Sequence, residues 1–183
     1  LGFESLTQSA EFYNDGLALG NGEVSLFEMV QAYSALANRG VFRALTPLPQ
    51  TPFPRETTKV YSEEAASLIG HILSDPFARR REFGAGSVLN LPVQTAVKTG
   101  TSTDYRDAWV IGYNADYTVG IWLGNLDHAP MDTVTGSTGP AQQNRTSSSP
   151  ADRSRASSFS TSSRVASWSK RLACAASCSR LSA

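Results

Sequence analysis

Cysteine is missing from the first 140 residues; both copies, Cys174 and Cys178, lie near the C-terminus. The body of the chain therefore has no disulfide framework and no thiol chemistry. Histidine is equally scarce, with His71 in a predicted helix and His128 in a predicted loop. Neither His71 and His128 nor the pair Cys174 and Cys178, four residues apart, has further ligands at metal-binding spacing, so no metal and no cofactor are implied. No run of 18 or more apolar residues is present, and the first residue is Leu1, not an initiator methionine. Neither a membrane span nor a signal peptide is read from the chain, which is expected to be truncated at its start.

No charge of either sign prevails: 16 basic residues balance 16 acidic ones over 183 positions. Taken whole, that balance argues against a polyanion partner. The average hides two unlike segments, because residues 1–140 carry net −6 and residues 141–183 carry net +6. The second segment is 14 parts serine in 43 residues, without apolar periodicity. Such a composition buries too little apolar surface to offset its ordering entropy, and 141–183 is expected to be a disordered or foreign tail. Its arginines could attract phosphate, but Phe159 and Trp168 are its only aromatics and offer no stacking platform, so no nucleic-acid partner is read.

Within residues 1–140 the apolar pattern is informative. Leu26, Met29, Val30, Tyr33, Leu36 and Ala37 recur at three- and four-residue steps, the stripe of an amphipathic helix. Ser25 with Glu28 makes a capping box at its start, and Gly40 supplies a left-handed residue at its end. Thr46 to Pro54 holds four prolines and is expected to be a surface connection. A second helix is expected from a Ser62 cap to a stop at Pro76, burying Ala65, Ala66, Leu68, Ile69, Ile72 and Leu73. The Arg79-Arg80-Arg81 run is expected to be a solvated loop. Beyond Leu91 the period changes to two, and Val93, Thr95 and Val97 lead a strand into Lys98; the nearly continuous apolar run 108–113 fits a strand covered on both faces, and 117–123 returns after an Asn114-Ala115-Asp116 turn. Trp109 and Trp122 are expected in the sheet core, and Gly112 and Gly120 mark close approach of a helix. Helices followed by antiparallel strands predict an α+β layered domain.

Lys98-Thr99-Gly100 is a short motif that turns up by chance in about a few per cent of chains this long, from ordinary residue usage. Its bland reading is a lysine protecting an exposed strand edge. Context changes that weighting. Lys98-Thr-Gly-Thr-Ser102 is followed by Arg106-Asp-Ala-Trp-Val-Ile-Gly-Tyr113 and Tyr117-Thr-Val-Gly-Ile-Trp-Leu-Gly124, and preceded by Leu17-Ala-Leu-Gly-Asn-Gly-Glu-Val-Ser25 running into Met29-Val-Gln-Ala-Tyr33. In this order the segments resemble the C-terminal part of the transpeptidase domain of class A penicillin-binding proteins, the details being most similar to the penicillin-binding protein 1C subgroup.

The resemblance covers residues 1–140 and implies a penicillin-binding protein/β-lactamase-like α+β fold, with an antiparallel sheet packed against helices. It implies serine acyl transfer on a D-Ala-D-Ala stem peptide, acylation by β-lactam antibiotics, and a parent anchored in the inner membrane, facing the periplasm, with a glycosyltransferase domain. Carried onto this sequence, it makes Lys98 and Thr101 catalytic and Thr99, Gly100, Thr101 and Ser102 substrate-binding. Lys98 would supply a positive field for the terminal carboxylate, the Thr99 and Thr101 hydroxyls would donate to it, and the Thr101 N–H would be one of two oxyanion donors. The family's Ser-x-x-Lys nucleophile motif and Ser-x-Asn motif do not occur before Lys98. Ser167-Trp168-Ser169-Lys170 matches the first only by position-blind accident in a serine-rich tail. The chain alone is therefore expected to be inactive, and a break in reading frame near Pro140 would account for the tail. A β-lactamase-like or D,D-carboxypeptidase hydrolase, or an inert truncated product, are the alternatives.

Overall fold

In the computed structural model, the residues described are 1–45, 56–131, 134–138 and 141, together with the backbone of a strand at Leu172–Ser177. The expected Pro-rich connection at 46–54 and the Ser167-to-Lys170 segment lie outside them. The chain begins with a short helix α1 (Ala10–Tyr13) and a 3-10 turn over Asn14–Leu19. The first long helix, α2 (Leu26–Ala37), starts as its sequence dictates. Ser25 Oγ accepts from the Glu28 N–H, and the Glu28 carboxylate accepts from the Ser25 N–H at 2.8 Å. It ends where Arg39 and Gly40 both turn to positive φ, 54° and 86°, and the Gly40 N–H donates to the Ala35 carbonyl at 2.8 Å. A Cβ at Gly40 would overlap the Tyr61 carbonyl, so only glycine lets the chain turn this closely.

Glu28 is buried although the apolar stripe alone would leave it outside. Its Oε1 accepts from the Glu4 N–H at 2.7 Å and the Ser5 N–H at 2.8 Å, and its Oε2 accepts from the Ser5 hydroxyl at 2.6 Å. The Ser5 hydroxyl first, and the Ser25 N–H next, hold this carboxyl down to about 2. Gln31, also buried, accepts from the Leu45 N–H through Oε1 at 3.0 Å. Helix α2 is thus clasped on its polar side by the chain before it and after it, while its apolar side meets the sheet.

Strands β1 (Val41–Arg43) and β2 (Thr57–Lys59) pair antiparallel as a two-stranded ribbon. Helix α3 (Glu63–Ser74) is capped by Ser62 Oγ, which accepts from the Ala65 N–H at 3.1 Å. Of the six apolar residues expected to be buried on it, only Ala66 is; Leu68, Ile69 and Ile72 are 60%, 41% and 50% exposed. Helical periodicity identifies the apolar face, but burial needs a neighbouring layer, and among the described residues none covers this one.

The Arg79-Arg80-Arg81 run is a second correction: it lies in helix α4 (Pro76–Phe83), not in a loop. Asp75 caps it, accepting from the Phe77 N–H at 2.8 Å, and Pro76 sits at the first helical position, where its missing N–H and fixed φ cost nothing. The same proline that stops α3 therefore starts α4.

The second sheet holds β3 (Ala96–Thr101), β4 (Asp107–Tyr113), β5 (Thr118–Gly124) and β6 (Leu172–Ser177), all antiparallel and in that spatial order. The first three are the strands expected beyond Leu91. The fourth comes from the expected disordered tail. Its Leu-Ala-Cys-Ala-Ala run is the least polar stretch there, and β5 otherwise presents an edge of unpaired backbone groups.

One face of this sheet packs on Leu89, with Val97, Val110, Ile121 and Ala141 forming a buried cluster. Val110 and Ile121 are fully buried, each contributing about 1.5–3 kcal/mol by removal from water. Ala141, at the head of the expected tail, is fully buried here too. The opposite face carries α2. A Cβ at Gly120 would overlap Val30 Cγ2 and lie 3.0 Å from Leu26 Cδ1, the close helix approach its sequence implies. Trp109 and Trp122 face each other across β4 and β5 with ring centroids 6.4 Å apart, but both are half-buried instead of core residues.

Candidate functional site

Lys98, Thr99, Gly100 and Thr101 all lie on β3, which occupies the end of the four-strand order and, among the described residues, pairs only with β4. The register sets Lys98 opposite Ile111, Thr99 opposite Val110, Gly100 opposite Trp109 and Thr101 opposite Ala108. The Ser102 N–H donates to the Asp107 carbonyl at 2.9 Å, so that pair is a hydrogen-bonded one. Antiparallel pairs alternate. Lys98 and Gly100 therefore turn their backbone groups toward β4, while Thr99 and Thr101 turn theirs to the outer edge.

Side chains alternate as well. Lys98 and Gly100 share the face of Ile111 and Trp109, whereas Thr99 and Thr101 share the face of Val110 and the buried cluster. Lys98 is exposed, and its ammonium bends back to donate to the Thr99 carbonyl at 2.5 Å. That carbonyl belongs to the outer edge. The positive charge thus stands beside the backbone groups β3 leaves unpaired within the sheet, with two further N–H donors available.

Ser102 closes the strand differently. Its hydroxyl donates to Asp107 Oδ2 at 2.9 Å and accepts from the Asp107 N–H at 2.8 Å. The turn between β3 and β4 places Asp104 and Tyr105 at φ 59° and 55°, a conformation unfavourable for residues with a Cβ. It is tied down by the Met131 N–H, which donates to the Tyr105 carbonyl at 3.0 Å.

A segment that local sequence reading passed over also reaches the strand. The Gly136 N–H donates to Thr101 Oγ1 at 3.1 Å, and a Cβ on buried Gly136 would stand 2.5 Å from the Trp109 carbonyl and 2.8 Å from the Gly100 carbonyl. Thr135-Gly136-Ser137-Thr138 is turn-prone in composition, but its partner is 35 residues away. His71 and His128 are both exposed, on α3 and in the loop after β5.

An α+β domain whose antiparallel sheet ends in a Lys-Thr-Gly-Thr strand is of the penicillin-binding protein/β-lactamase-like class. The PonA1 protein of Mycobacterium tuberculosis, solved in complex with penicillin V, has the same fold over 82% of this chain and 43% of its own, with a TM-score of 0.58 and 21% identity. No family model matches the chain. Penicillin-binding protein 1C of Escherichia coli K12 is 37% identical over 118 residues, which is 64% of this chain and 14% of that relative. Penicillin-binding protein 1A of Clostridium botulinum is 31% identical over 124 residues, 60% of this chain and 14% of the relative. Penicillin-binding protein 1B of Vibrio cholerae is 28% identical over 136 residues, 67% and 17% respectively. The chain is thus similar to the transpeptidase region of class A penicillin-binding proteins, as its Lys98 motif and flanking segments imply, and it spans only 14% to 17% of the length of these curated relatives.

Proposed function

We propose that residues 1–140 are the C-terminal part of a peptidoglycan D,D-transpeptidase domain and that β3 is its substrate-binding wall. The single observation that carries this reading is the outward edge of β3, where the Thr99 and Thr101 backbone groups and the Lys98 ammonium come together. An extended stem peptide can add to such an edge as a further strand. Its terminal D-Ala carboxylate is then met by the Lys98 charge and by the hydroxyls of Thr99 and Thr101. Gly100 and Ser102 complete the strand, the first by keeping the backbone approachable, the second by holding the turn to β4.

In the complete domain a serine hydroxyl attacks the carbonyl of the penultimate D-Ala. The C–N bond breaks, the last D-Ala leaves as an amine, and the acyl group passes to an amine of a neighbouring stem peptide. The Thr101 N–H, directed to the outer edge, serves as one of two donors to the oxyanion, a contribution of about 3 kcal/mol in acyl enzymes. A β-lactam enters by the same route and acylates the same serine. The parent protein couples this site to a glycosyltransferase domain and is anchored in the inner membrane, facing the periplasm. Among the described residues of this chain no helix is long and apolar enough to cross a membrane.

Because Ser-x-x-Lys and Ser-x-Asn do not precede Lys98, the 183-residue chain alone is inactive. Incubation with a fluorescent penicillin followed by denaturing electrophoresis tests this: the chain should carry no label. In a parent that contains both motifs, Lys98→Ala should slow acylation by at least about a hundredfold, the scale of losing one electrostatic contributor. Stable labelling of the isolated chain, or an unaffected Lys98→Ala parent, would contradict the reading.

A further inference from the structure

We infer that the turn at Gly136 is a positioning element for Thr101: its N–H occupies an acceptor site of the Thr101 hydroxyl and thereby turns that hydroxyl into a dedicated hydrogen-bond donor for a ligand carboxylate. The inference rests on the transpeptidase reading only for the identity of that carboxylate.

A threonine hydroxyl has one hydrogen to donate and two lone pairs to receive. At Thr101 one lone pair accepts the Gly136 N–H at 3.1 Å. The hydroxyl hydrogen must then point away from Gly136, and among the described residues Thr101 Oγ1 donates to no acceptor. Ser102, one position on, is the contrast. It both donates to and accepts from Asp107, so its hydroxyl is committed within the hairpin. The two neighbouring hydroxyls thus have separate tasks, and of the two only that of Thr101 has its hydrogen uncommitted among the described residues.

Gly136 can do this because it is held on several sides. The Ala141 N–H donates to its carbonyl at 3.1 Å, and Ala141 is anchored in the buried cluster with Val97, Val110 and Ile121. Five residues earlier, buried Met131 is tied to the Tyr105 carbonyl. The absence of a Cβ lets Gly136 lie against the Gly100 and Trp109 carbonyls and Thr99 Cβ. A side chain there would push the turn off β3 and withdraw the N–H from Thr101.

Replacing Gly136 would disturb packing as well as the hydrogen bond, so the test is placed on Thr101 in the full 183-residue chain. Thr101→Val removes the acceptor with little change of shape, and Thr101→Ser restores it. The first readout needs no ligand: in NMR spectra the Gly136 amide proton should move upfield and exchange faster in Thr101→Val, and should return toward its original position in Thr101→Ser. The second readout is titration with N-acetyl-D-alanyl-D-alanine. Affinity should fall by roughly tenfold or more in Thr101→Val, the scale of a hydrogen bond to a charged group, and be largely kept in Thr101→Ser.

A Gly136 amide that is indifferent to Thr101→Val overturns the inference, as does equal peptide affinity in the original chain and Thr101→Val. If the original chain binds no peptide while the amide follows the expected pattern, the ligand half of the inference fails and the Gly136 brace stands, whereas the transpeptidase reading is decided separately by penicillin labelling of the Lys98→Ala parent.

Discussion

The Trp122 indole N–H donates to Asp107 Oδ1 at 2.8 Å, joining β5 to the first residue of β4 at the end of the sheet where β3 turns back. The other carboxylate oxygen receives the Ser102 hydroxyl at 2.9 Å. One side chain therefore links three consecutive strands. Asp107→Ala should lower unfolding stability by about 3 kcal/mol, since it removes two bonds to a charged group and leaves a half-buried indole N–H without its partner. Ser102→Ala should cost about 1 kcal/mol. Urea titration followed by tryptophan fluorescence measures both, and equal midpoints for Asp107→Ala and the original chain would show that the link is not stabilising.

Glu28 makes stability depend on acid in a defined direction. Its carboxyl is held at about 2 in the folded chain against an ordinary value of 4.5, chiefly by the Ser5 hydroxyl and then the Ser25 N–H. A carboxyl depressed in the folded state contributes fully above its unfolded value and loses that contribution as pH falls through the folded one. The difference in urea midpoint between the original chain and Glu28→Gln should thus be constant from neutral pH down to about 5.5, then shrink from about 4.5 toward 2. A difference that grows on acidification would contradict the clasp of residues 4 and 5 on α2.

At Gly120 the question is packing. Gly120→Ala should destabilise by about 1–3 kcal/mol, because the new methyl overlaps Val30 Cγ2 and the α2 backbone must move. Combining it with Val30→Ala should give a double variant more stable than the sum of the two single losses predicts. Strict additivity in the double-variant cycle would mean that the two residues are not in contact.

Asp75 distinguishes a helix from a loop at the arginine run. With its side chain capping Phe77 N–H, Asp75→Ala should cost about 1 kcal/mol and speed amide exchange in the first turn of α4. Were 76–83 a solvated loop, the substitution would leave exchange there unaltered.

Much of the site was legible from local pattern. The capping box at Ser25 and Glu28, the cap at Ser62, the three strands around Lys98 and the close approach at Gly120 all follow from groups that act within a few residues of themselves. The errors have two origins. Leu68, Ile69 and Ile72 form an apolar helical face as read, yet remain exposed, because periodicity says which face is apolar and not what lies against it. The charge of Arg79-Arg80-Arg81 suggests a loop, but the Asp75-Pro76 start signal immediately before it outweighs that charge.

By itself the sequence determined the two long helices, the three strands from Ala96 to Gly124, and the resemblance carried by Lys98-Thr99-Gly100-Thr101 and its flanks, because capping, turn chemistry and alternation are short-range physics. Only the tertiary structure decided that β3 is the outer strand, that Thr99 and Thr101 turn their backbone groups outward, and that Gly136 reaches Thr101. Those relations depend on which segments distant in sequence come to lie together, and the 35-position separation of Thr101 and Gly136 leaves no trace of it in the local pattern of either. For the Lys98 strand, the sequence identified the Lys-Thr-Gly-Thr motif, and the fold decided that the next hydroxyl, Ser102, is committed to Asp107 while Thr101 receives the Gly136 N–H.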